Sequence, residues 1–481
     1  HGTYFNAGDP VSLRRGLTNA SMDTGSKNDA GAGFTLNTPG AITDTTGTYI
    51  VKFDSGTWSG NLQAQQIGLD TGGGLVFTPL WDARERITTQ ASGTGWDTNR
   101  KIVTSNGSSK IPFRLANLGA TQKANLGLTA DQQDMVDYLR GKPIPRFRSR
   151  TYLLGDIVGS EAVVVKEPKE PYLEAGNEGY GQFKNNNLSR KSRIYVGAND
   201  GMLHAIDPTL NLADSATAGQ ELWAYVPSIL FAGPNNTPSI DGLAALANST
   251  LFKHHFYVDQ TPVTRDVDFA RTNGATGITS ATSDWRTILV GGLNKGGKGF
   301  YALDITNPDA ASTEAATATA KVLWEFTDPD MGFSFGQPQI AKTRKHGWVA
   351  FLSSGYNNTG NGYLYVVDVK TGALLEKIST GVDAGGGMPE VTGWVPSAGD
   401  YTAEQVYAGD LNGNIWRFDV SQPASNTAVF PAPVKMATLT DGSKAQPITT
   451  APRIDLVGSD RWVVVGTGKL LSVGDDLDKQ Q

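Results

Sequence analysis

An all-β architecture of the β-propeller type is what this sequence predicts, on two interleaved repeats and a composition that suits them. The first repeat is a turn rich in Gly and Asn, a short alternating strand and a closing Asp. It runs from Gly197 to Asp207 as Gly-Ala-Asn-Asp-Gly-Met-Leu-His-Ala-Ile-Asp, and from Gly299 to Asp304 as Gly-Phe-Tyr-Ala-Leu-Asp. It returns between Gly362 and Asp368 and between Gly409 and Asp419. Asn-Asp-Gly and Asn-Gly-Asn steps suit tight hairpins, because these residues tolerate φ > 0. A unit this small cannot bury its own apolar face, so its repetition implies neighbours stacked or set in a ring.

The second repeat is a Pro-led segment followed by a Trp and an apolar run. Pro262-Val263 leads to the strand opened by Trp285, Pro338-Gln-Ile340 to the one opened by Trp348, and Pro452-Arg-Ile454 to the one opened by Trp462. Proline cannot donate to a ladder and belongs at a strand start or edge. The β-branched runs after each Trp read as strands buried on both faces, with Trp348 and Trp462 as core. Each blade is thus expected to run buried strand, turn, alternating strand, Asp. The closing Asp residues lie 97, 64 and 51 residues apart, so the blades are uneven and the first gap holds an insertion or an extra blade.

Composition agrees and excludes several functions. Glycine supplies 57 of 481 residues, and the net charge of −6 argues against a nucleic-acid binder relying on a basic surface. No run approaches the roughly 18 apolar residues that span a bilayer. With no cysteine there is no disulfide framework, thiolate zinc site, Fe–S cluster or catalytic thiol. Cysteine avoidance fits an exported protein. The chain begins His1-Gly-Thr without Met, which reads as a fragment of something longer whose missing N-terminus holds the export signal.

Residues 1–150 have a different texture and read as a mixed flank ahead of a propeller at 151–481. Up to about Thr48 the flank is loop and turn; Tyr49 to Asp54 and the stretch from Trp58 then read as two strands joined at Ser55-Gly56. Ala130 to Gly141 is the one clear helix, capped by Thr129 or Asp131 and ended at Gly141. Lys142-Pro-Ile-Pro-Arg-Phe-Arg-Ser-Arg150 is a basic connector.

Several long phrases resemble the C-terminal propeller of PilY/PilC proteins, type IV pilus assembly factors and tip-associated adhesins. They are Leu153-Leu-Gly-Asp-Ile-Val-Gly-Ser160, the Val196–Ala205 phrase, Gly332-Phe-Ser-Phe-Gly-Gln-Pro338 and the Tyr407–Asp419 phrase. The flank joins in through Trp58-Ser-Gly-Asn-Leu, Pro79-Leu-Trp81-Asp-Ala, Arg100-Lys-Ile-Val-Thr and Tyr138-Leu-Arg-Gly, so the likeness runs from about Tyr49 onward. The resemblance implies about seven irregular blades, related in pattern to quinoprotein propellers. It implies an extracellular place at the pilus tip or outer surface, and a non-enzymatic role in pilus extension and in attachment to host or abiotic surfaces. It also implies minor pilins as partners. Gly159 stands where the family has Asn and Ala162 where it has Pro.

The resemblance further implies a calcium loop before Tyr407. Projected onto this chain, its ligand positions fall on Pro396, Ala398, Asp400, Thr402 and Glu404. Oxygen ligation of a hard cation needs side-chain donors that Pro396 and Ala398 lack. Asp400, Thr402 and Glu404 remain as the metal candidates of a degenerate loop, and no other cofactor is expected.

The other motifs favour turns. Gly292-Leu-Asn-Lys-Gly-Gly-Lys298 is followed by Gly299, where a phosphate loop needs Ser or Thr, and then by a strand instead of a helix. Asp410-Leu-Asn-Gly-Asn414 opens like an EF-hand but has Ile415 at the glycine position and Ser421 at the glutamate position. His254 and His255 would point oppositely on a strand, and His204 on its alternating strand reads as a packed, hydrogen-bonded residue. Two alternatives stand beside the pilus reading. A quinoprotein-like dehydrogenase propeller is imitated by Asp368-Val-Lys-Thr-Gly372, whose Asp would cap the turn; absorbance at the quinone band discriminates it. A carbohydrate-binding propeller would need exposed Trp residues.

Overall fold

The computed structural model describes residues 34–36, 47–71, 74–250, 252–272, 274–356, 358, 360–381 and 386–469. The early loop region expected before Thr48 lies mostly outside them. The chain divides into two compact units, each drawn from several segments. The first takes residues up to Lys166, Lys191–Thr261 and Pro308–Ala320; the second takes Glu167–Arg190, Pro262–Asn307 and Lys321 onward.

In the first unit β1 (Phe34–Leu36), β2 (Gly47–Asp54), β3 (Ser59–Leu69) and β4 (Leu75–Asp82) form an antiparallel sheet in that order. The expected hairpin at Ser55-Gly56 is present: Asp54 pairs with Ser59, and its carboxylate accepts from Gly56 N at 2.8 Å. Trp58 sits in the turn at φ 52°, ahead of β3 instead of inside it. Helix α1 (Ala83–Gln90) follows, with Asp82 accepting from Arg84 N as its N-cap. Strands β5 (Ile102–Ser105) and β6 (Lys110–Pro112) precede α2 (Gln132–Arg140), the helix read from sequence. Asp131 occupies its N-cap position but makes no side-chain cap bond, and Gly141 at φ 122° ends it.

The chain then forms β7 (Val163–Val165), β8 (Arg193–Ala198), β9 (Met202–Ile206) and β10 (Glu221–Val226). They build an antiparallel meander to which β5 adds in parallel beside β10, giving the order β6-β5-β10-β9-β8-β7. The flank therefore lends two strands to the sheet that carries the first closing Asp. Helix α3 (Glu314–Lys321) opens on Glu314, which receives Arg140 Nη1 at 2.9 Å and Ile102 N at 3.1 Å. The core of this unit gathers Tyr49, Leu62, Trp81, Ile194 and Val196.

The second unit repeats one module three times. Each copy is a four-stranded antiparallel sheet, the blade element of propellers. The first copy is β11 (Val263–Asp268), β12 (Trp285–Gly291), β13 (Phe300–Asp304) and β14 (Val322–Phe326). The second is β15 (Gln339–Thr343), β16 (Gly347–Ser353), β17 (Tyr363–Asp368) and β18 (Leu374–Ser379). The third is β19 (Val391–Trp394), β20 (Gln405–Gly409), β21 (Asn414–Asp419) and β22 (Val434–Thr438). Two ribbons follow, β23 (Thr440–Asp441) with β24 (Lys444–Ala445), and β25 (Arg453–Val457) with β26 (Asp460–Val464). Strands β12 and β16 are buried almost throughout, as the Pro-then-Trp phrase implied. Trp462 corrects that reading: it is 58% exposed, because β25 and β26 pair only with each other among the described residues.

Each closing Asp ends its strand in the same way. Asp207 accepts from Thr209 N, Asp304 from Thr306 N, Asp368 from Lys370 N and Asp419 from Ser421 N, all at 2.9–3.0 Å. The carboxylate replaces the next rung of the ladder and turns the chain out of the strand.

A third repeat lies on the fourth strand of each sheet. Pairing with the third strand slips there by one residue, which leaves Leu80, Leu222, Leu323, Leu375 and Met436 as the extra residue of a bulge. In three sheets the next residue is a buried Trp. Trp81 donates its indole N–H to Thr209 O at 2.7 Å, Trp223 to Pro308 O at 3.1 Å, and Trp324 to Val369 O at 2.8 Å. Each acceptor lies one to four residues past a closing Asp. Gly219 and Gly372, both at φ 73°, leave room against Trp81 and Trp324, where a Cβ would collide with the Trp.

Two consequences are measurable by chemical denaturation. Asp207→Ala strands the hydroxyls of Thr209, Ser215 and Thr217, all now bonded to that buried carboxylate, and should cost about 2–3 kcal/mol, whereas exposed Asp419→Ala should cost about 1 kcal/mol or less. Trp324→Phe keeps one aromatic ring but loses the donor to Val369 and part of the buried indole volume, and should cost about 2–4 kcal/mol. Equal costs for the two Asp variants would refute the ranking by burial.

Candidate functional site

The projected cation loop lies in the second unit, between β19 and β20. Its neighbour is Lys342 on β15, which bridges Thr402 in parallel: Lys342 N donates to Tyr401 O at 3.1 Å and Ala403 N to Lys342 O at 2.8 Å. The Lys342 side chain is 5% exposed and reaches into the loop, with Nζ 2.7 Å from Gly176 O and 3.0 Å from Asp400 Oδ1. Gly176 sits at φ 88°, and a Cβ there would stand 2.8 Å from Asp400 Oδ1, so its lack of a side chain leaves the carboxylate its place. Asn177 Nδ2 donates to Gly399 O at 2.9 Å and Asp400 O at 3.2 Å, and Leu173 N to Gly399 O at 2.8 Å. The 173–177 segment thus fastens the loop from outside β19 and β20.

The charges are matched within this cluster. Burial draws the Lys342 ammonium below its ordinary range, with the bond to Asp400 working against that pull. For Asp400, burial favours the neutral acid but is outweighed by the Thr402 hydroxyl and the Lys342 ammonium, which hold it below the usual carboxylate range. Of the three metal candidates, the fold brings Asp400 and Thr402 together. Glu404 instead pairs with Arg344 Nη2 at 2.9 Å. Calcium takes six to eight oxygens at 2.3–2.6 Å. Two carboxylates already bonded to cationic side chains, with Pro396 and Ala398 contributing no side-chain oxygen, are a poor donor set for it. Among the described residues no group of three His, Asp or Glu side chains is arranged to hold a metal.

The other motifs settle as turns. The 292–299 segment carries one short turn, Asn294–Gly296, and leads straight into β13. Asp410 accepts from Asn412 N and Asn414 N at 2.9 Å each and from Trp416 Nε1 at 2.9 Å, so it folds the β20–β21 hairpin upon itself.

In the first unit, His204 belongs to a buried charge network. Its Nδ1 lies 2.7 Å from Glu221 and its Nε2 3.1 Å from Asp200, while Arg100 clamps Glu221 with Nε at 2.8 Å and Nη2 at 2.7 Å. Burial disfavours the imidazolium, yet Asp200 and Glu221 outweigh it and lift the His204 pKa to about 9. The packed, hydrogen-bonded histidine expected from sequence is what the fold contains.

A family model described as the PilY1 beta-propeller domain matches residues 154–481. The chain belongs to the PilY1 β-propeller family. The type IV pilus biogenesis factor PilY1 of Pseudomonas aeruginosa strain UCBPP-PA14 is 29% identical over 97% of this chain and 41% of its own length. A PilY1 homolog of Xylella fastidiosa, also named a type IV pilus biogenesis factor, is 31% identical over 94% of this chain and 33% of its own length. The chain therefore spans about two-fifths or less of these curated relatives. The crystal structure of the P. aeruginosa PilY1 C-terminal domain superposes with a TM-score of 0.47 at 29% identity, covering 65% of this chain and 60% of that one. Among the described residues of this PilY1-family chain, no helix is long and apolar enough to cross a membrane.

Sequence reasoning missed Lys342, Gly176 and Arg344. Lys342 sits 58 residues before Asp400 on an ordinary alternating strand, and no local pattern marks it as the loop's counter-ion.

Two outcomes test these electrostatics. Lys342→Met and Asp400→Asn should each destabilise by about 1–3 kcal/mol, and the double variant by clearly less than their sum; additive costs would show that the pair carries no coupling. For His204, the folded pKa of about 9 exceeds the unfolded value near 6.5, so its stabilisation is complete below about pH 6.5 and lost as pH rises through about 9. Melting temperature should fall across that window, and His204→Gln should flatten the slope; a wild-type profile without slope there would mean a neutral His204.

Proposed function

We propose that this chain is a non-enzymatic module of a type IV pilus-biogenesis factor, acting at the pilus tip or outer cell surface, where it promotes pilus extension and attachment to a surface. The observation that carries the reading is the family match over residues 154–481, together with two relatives whose names state a part in type IV pilus biogenesis. Buried carboxylates committed to turns and ion pairs support a structural role over catalysis. Asp207, Asp368 and Asp410 each serve a turn, and Asp200 and Glu221 bind His204 and Arg100. Minor pilins are the proposed partners.

The test is genetic. Deleting residues 154–481 from the full-length protein in its native host should reduce surface pili, measured by shearing and immunoblot, by about tenfold or more. The Asp368→Ala and Trp324→Phe variants should track their loss of stability. Normal piliation and adhesion in the deletion strain would overturn the proposal.

For the loop at Asp400, Thr402 and Glu404 we propose that Lys342 serves where a dication would otherwise bind. Two acidic side chains should give at best a weak calcium site, with dissociation constants on the order of 10⁻³ M or worse. Chelator should then leave the melting temperature nearly unchanged, since a ligand stabilises only well above its dissociation constant. A large fall with chelator, abolished by Asp400→Ala, would show that the ion binds here.

A further inference from the structure

A cavity of about 420 Å³ opens within the first unit, beside the Asp200 end of the His204 network. Its walls include Trp58, Arg148, Arg150, Asp156, Asp200 and His254. The size falls within the range of small-ligand pockets. The two arginines come from the basic connector after α2, which the fold turns inward at this point.

The carboxylates on the wall are already engaged. Asp156 Oδ2 receives His254 Nε2 at 2.7 Å and Asn199 Nδ2 at 2.8 Å. Asp200 receives Gly155 N at 2.9 Å, Met202 N at 3.1 Å and His204 Nε2 at 3.1 Å.

The arginines are engaged only in part. Arg148 donates one hydrogen bond, from Nη2 to Thr57 O at 2.9 Å, and lays its guanidinium 3.6 Å over the Phe252 ring. Arg150 donates from Nη2 to Tyr138 O and lies 3.8 Å over the Tyr138 ring. Neither has a carboxylate within ion-pairing distance among the described residues. An arginine has five N–H donors, so one bond apiece leaves further donors on each guanidinium. Burial pulls both guanidinium groups down from their ordinary range, and the more distant charges of Asp156 for Arg148 and Asp200 for Arg150 only partly offset it. Trp58 supplies an aromatic wall. It is held in the left-handed region at φ 52° and stacked 3.9 Å from His254, which Asp156 anchors. A strained, braced aromatic thus stands beside two arginines that make no close ion pair among the described residues.

We propose that this cavity binds a small oxyanion-bearing ligand, a carboxylate or a phosphate or sulfate ester of about monosaccharide size, gripped by Arg148 and Arg150 with its body against Trp58. The planar guanidinium fork suits either oxyanion, because both present two oxygens at matching spacing. The site is separate from the Asp400 loop and independent of the pilus-biogenesis reading.

Isothermal titration of the 481-residue chain with glucuronate, glucose 6-phosphate and glucose separates the sources. One or both acids should bind saturably at one site, and neutral glucose should not. Glucuronate alone would identify a carboxylate site, and glucose 6-phosphate alone a phosphate site. Arg148→Gln and Arg150→Gln should each weaken binding by about tenfold or more. Arg148→Lys keeps the charge but not the fork, and should weaken binding with a melting temperature close to wild type. Saturable binding by neither acid, equal binding of glucose, or undiminished affinity in a folded Arg148→Gln, Arg150→Gln double variant would each overturn the proposal.

Discussion

The architecture depends on one recurring exchange: a buried indole N–H from a fourth strand meets a carbonyl exposed where a closing Asp has turned the chain. The Asp frees that carbonyl by ending the ladder, and the one-residue bulge at Leu80, Leu222 or Leu323 precedes the Trp that uses it. Neither half is useful alone. A buried carbonyl without a donor costs about 1–3 kcal/mol, and an indole N–H buried without an acceptor costs a similar amount. Together they turn a generic stack of sheets into one with a fixed register, because the bond forms only if the bulge and the turn are both in place. Glycines such as Gly372 complete the fit by making room for the ring.

Much of this was legible in the residues, and what escaped had a physical reason. The four Asp-ended phrases and the Pro-then-Trp phrases are local patterns, and local hydrogen bonding makes them readable. The Leu-Trp phrase on the fourth strand went unread although it recurs three times, because a bulge breaks the period of two by which strands are recognised. Trp462 followed the buried pattern and is nevertheless exposed, since burial depends on a covering partner that sequence position does not reveal. The helix Gln132–Arg140 was readable from its acidic start and glycine end, but the parallel docking of β5 on β10 joins residues about 120 positions apart and leaves no local trace.

The Asp400 loop shows the same limit for a site. Its candidate ligands could be projected from a resemblance, and two of the three do stand together. What determines their chemistry is Lys342, whose backbone is bridged to the loop and whose ammonium meets both Asp400 and Gly176 O. A covalently attached cation differs from a bound one in a simple way: its occupancy does not respond to ion concentration. If Lys342 serves in the dication's place, as proposed, the loop's geometry is set at synthesis, where a calcium-held loop would follow the surrounding medium. Burial of the ammonium carries a desolvation cost that the Asp400 and Gly176 contacts offset.

The flank and the segment around Glu314 give the first unit a history as well as a shape. Arg140 is almost fully buried, and its partner Glu314 arrives 174 residues later in the chain, next to Ala311, whose carbonyl takes Lys101 Nζ at 2.7 Å. While residues 308–320 are absent, a growing or threading chain holds the guanidinium at the end of α2 with Asp97, at 3.9 Å, as its carboxylate and without Glu314, and the start of β5 lacks the contact between Glu314 and Ile102 N. The second unit's first strands, β11 to β13, are by then already present in the polypeptide. The first unit is thus sealed by a segment that follows part of the second, which couples the completion of one to the delivery of the other. For a chain that emerges vectorially, such interleaving postpones closure of the first unit until enough sequence has appeared.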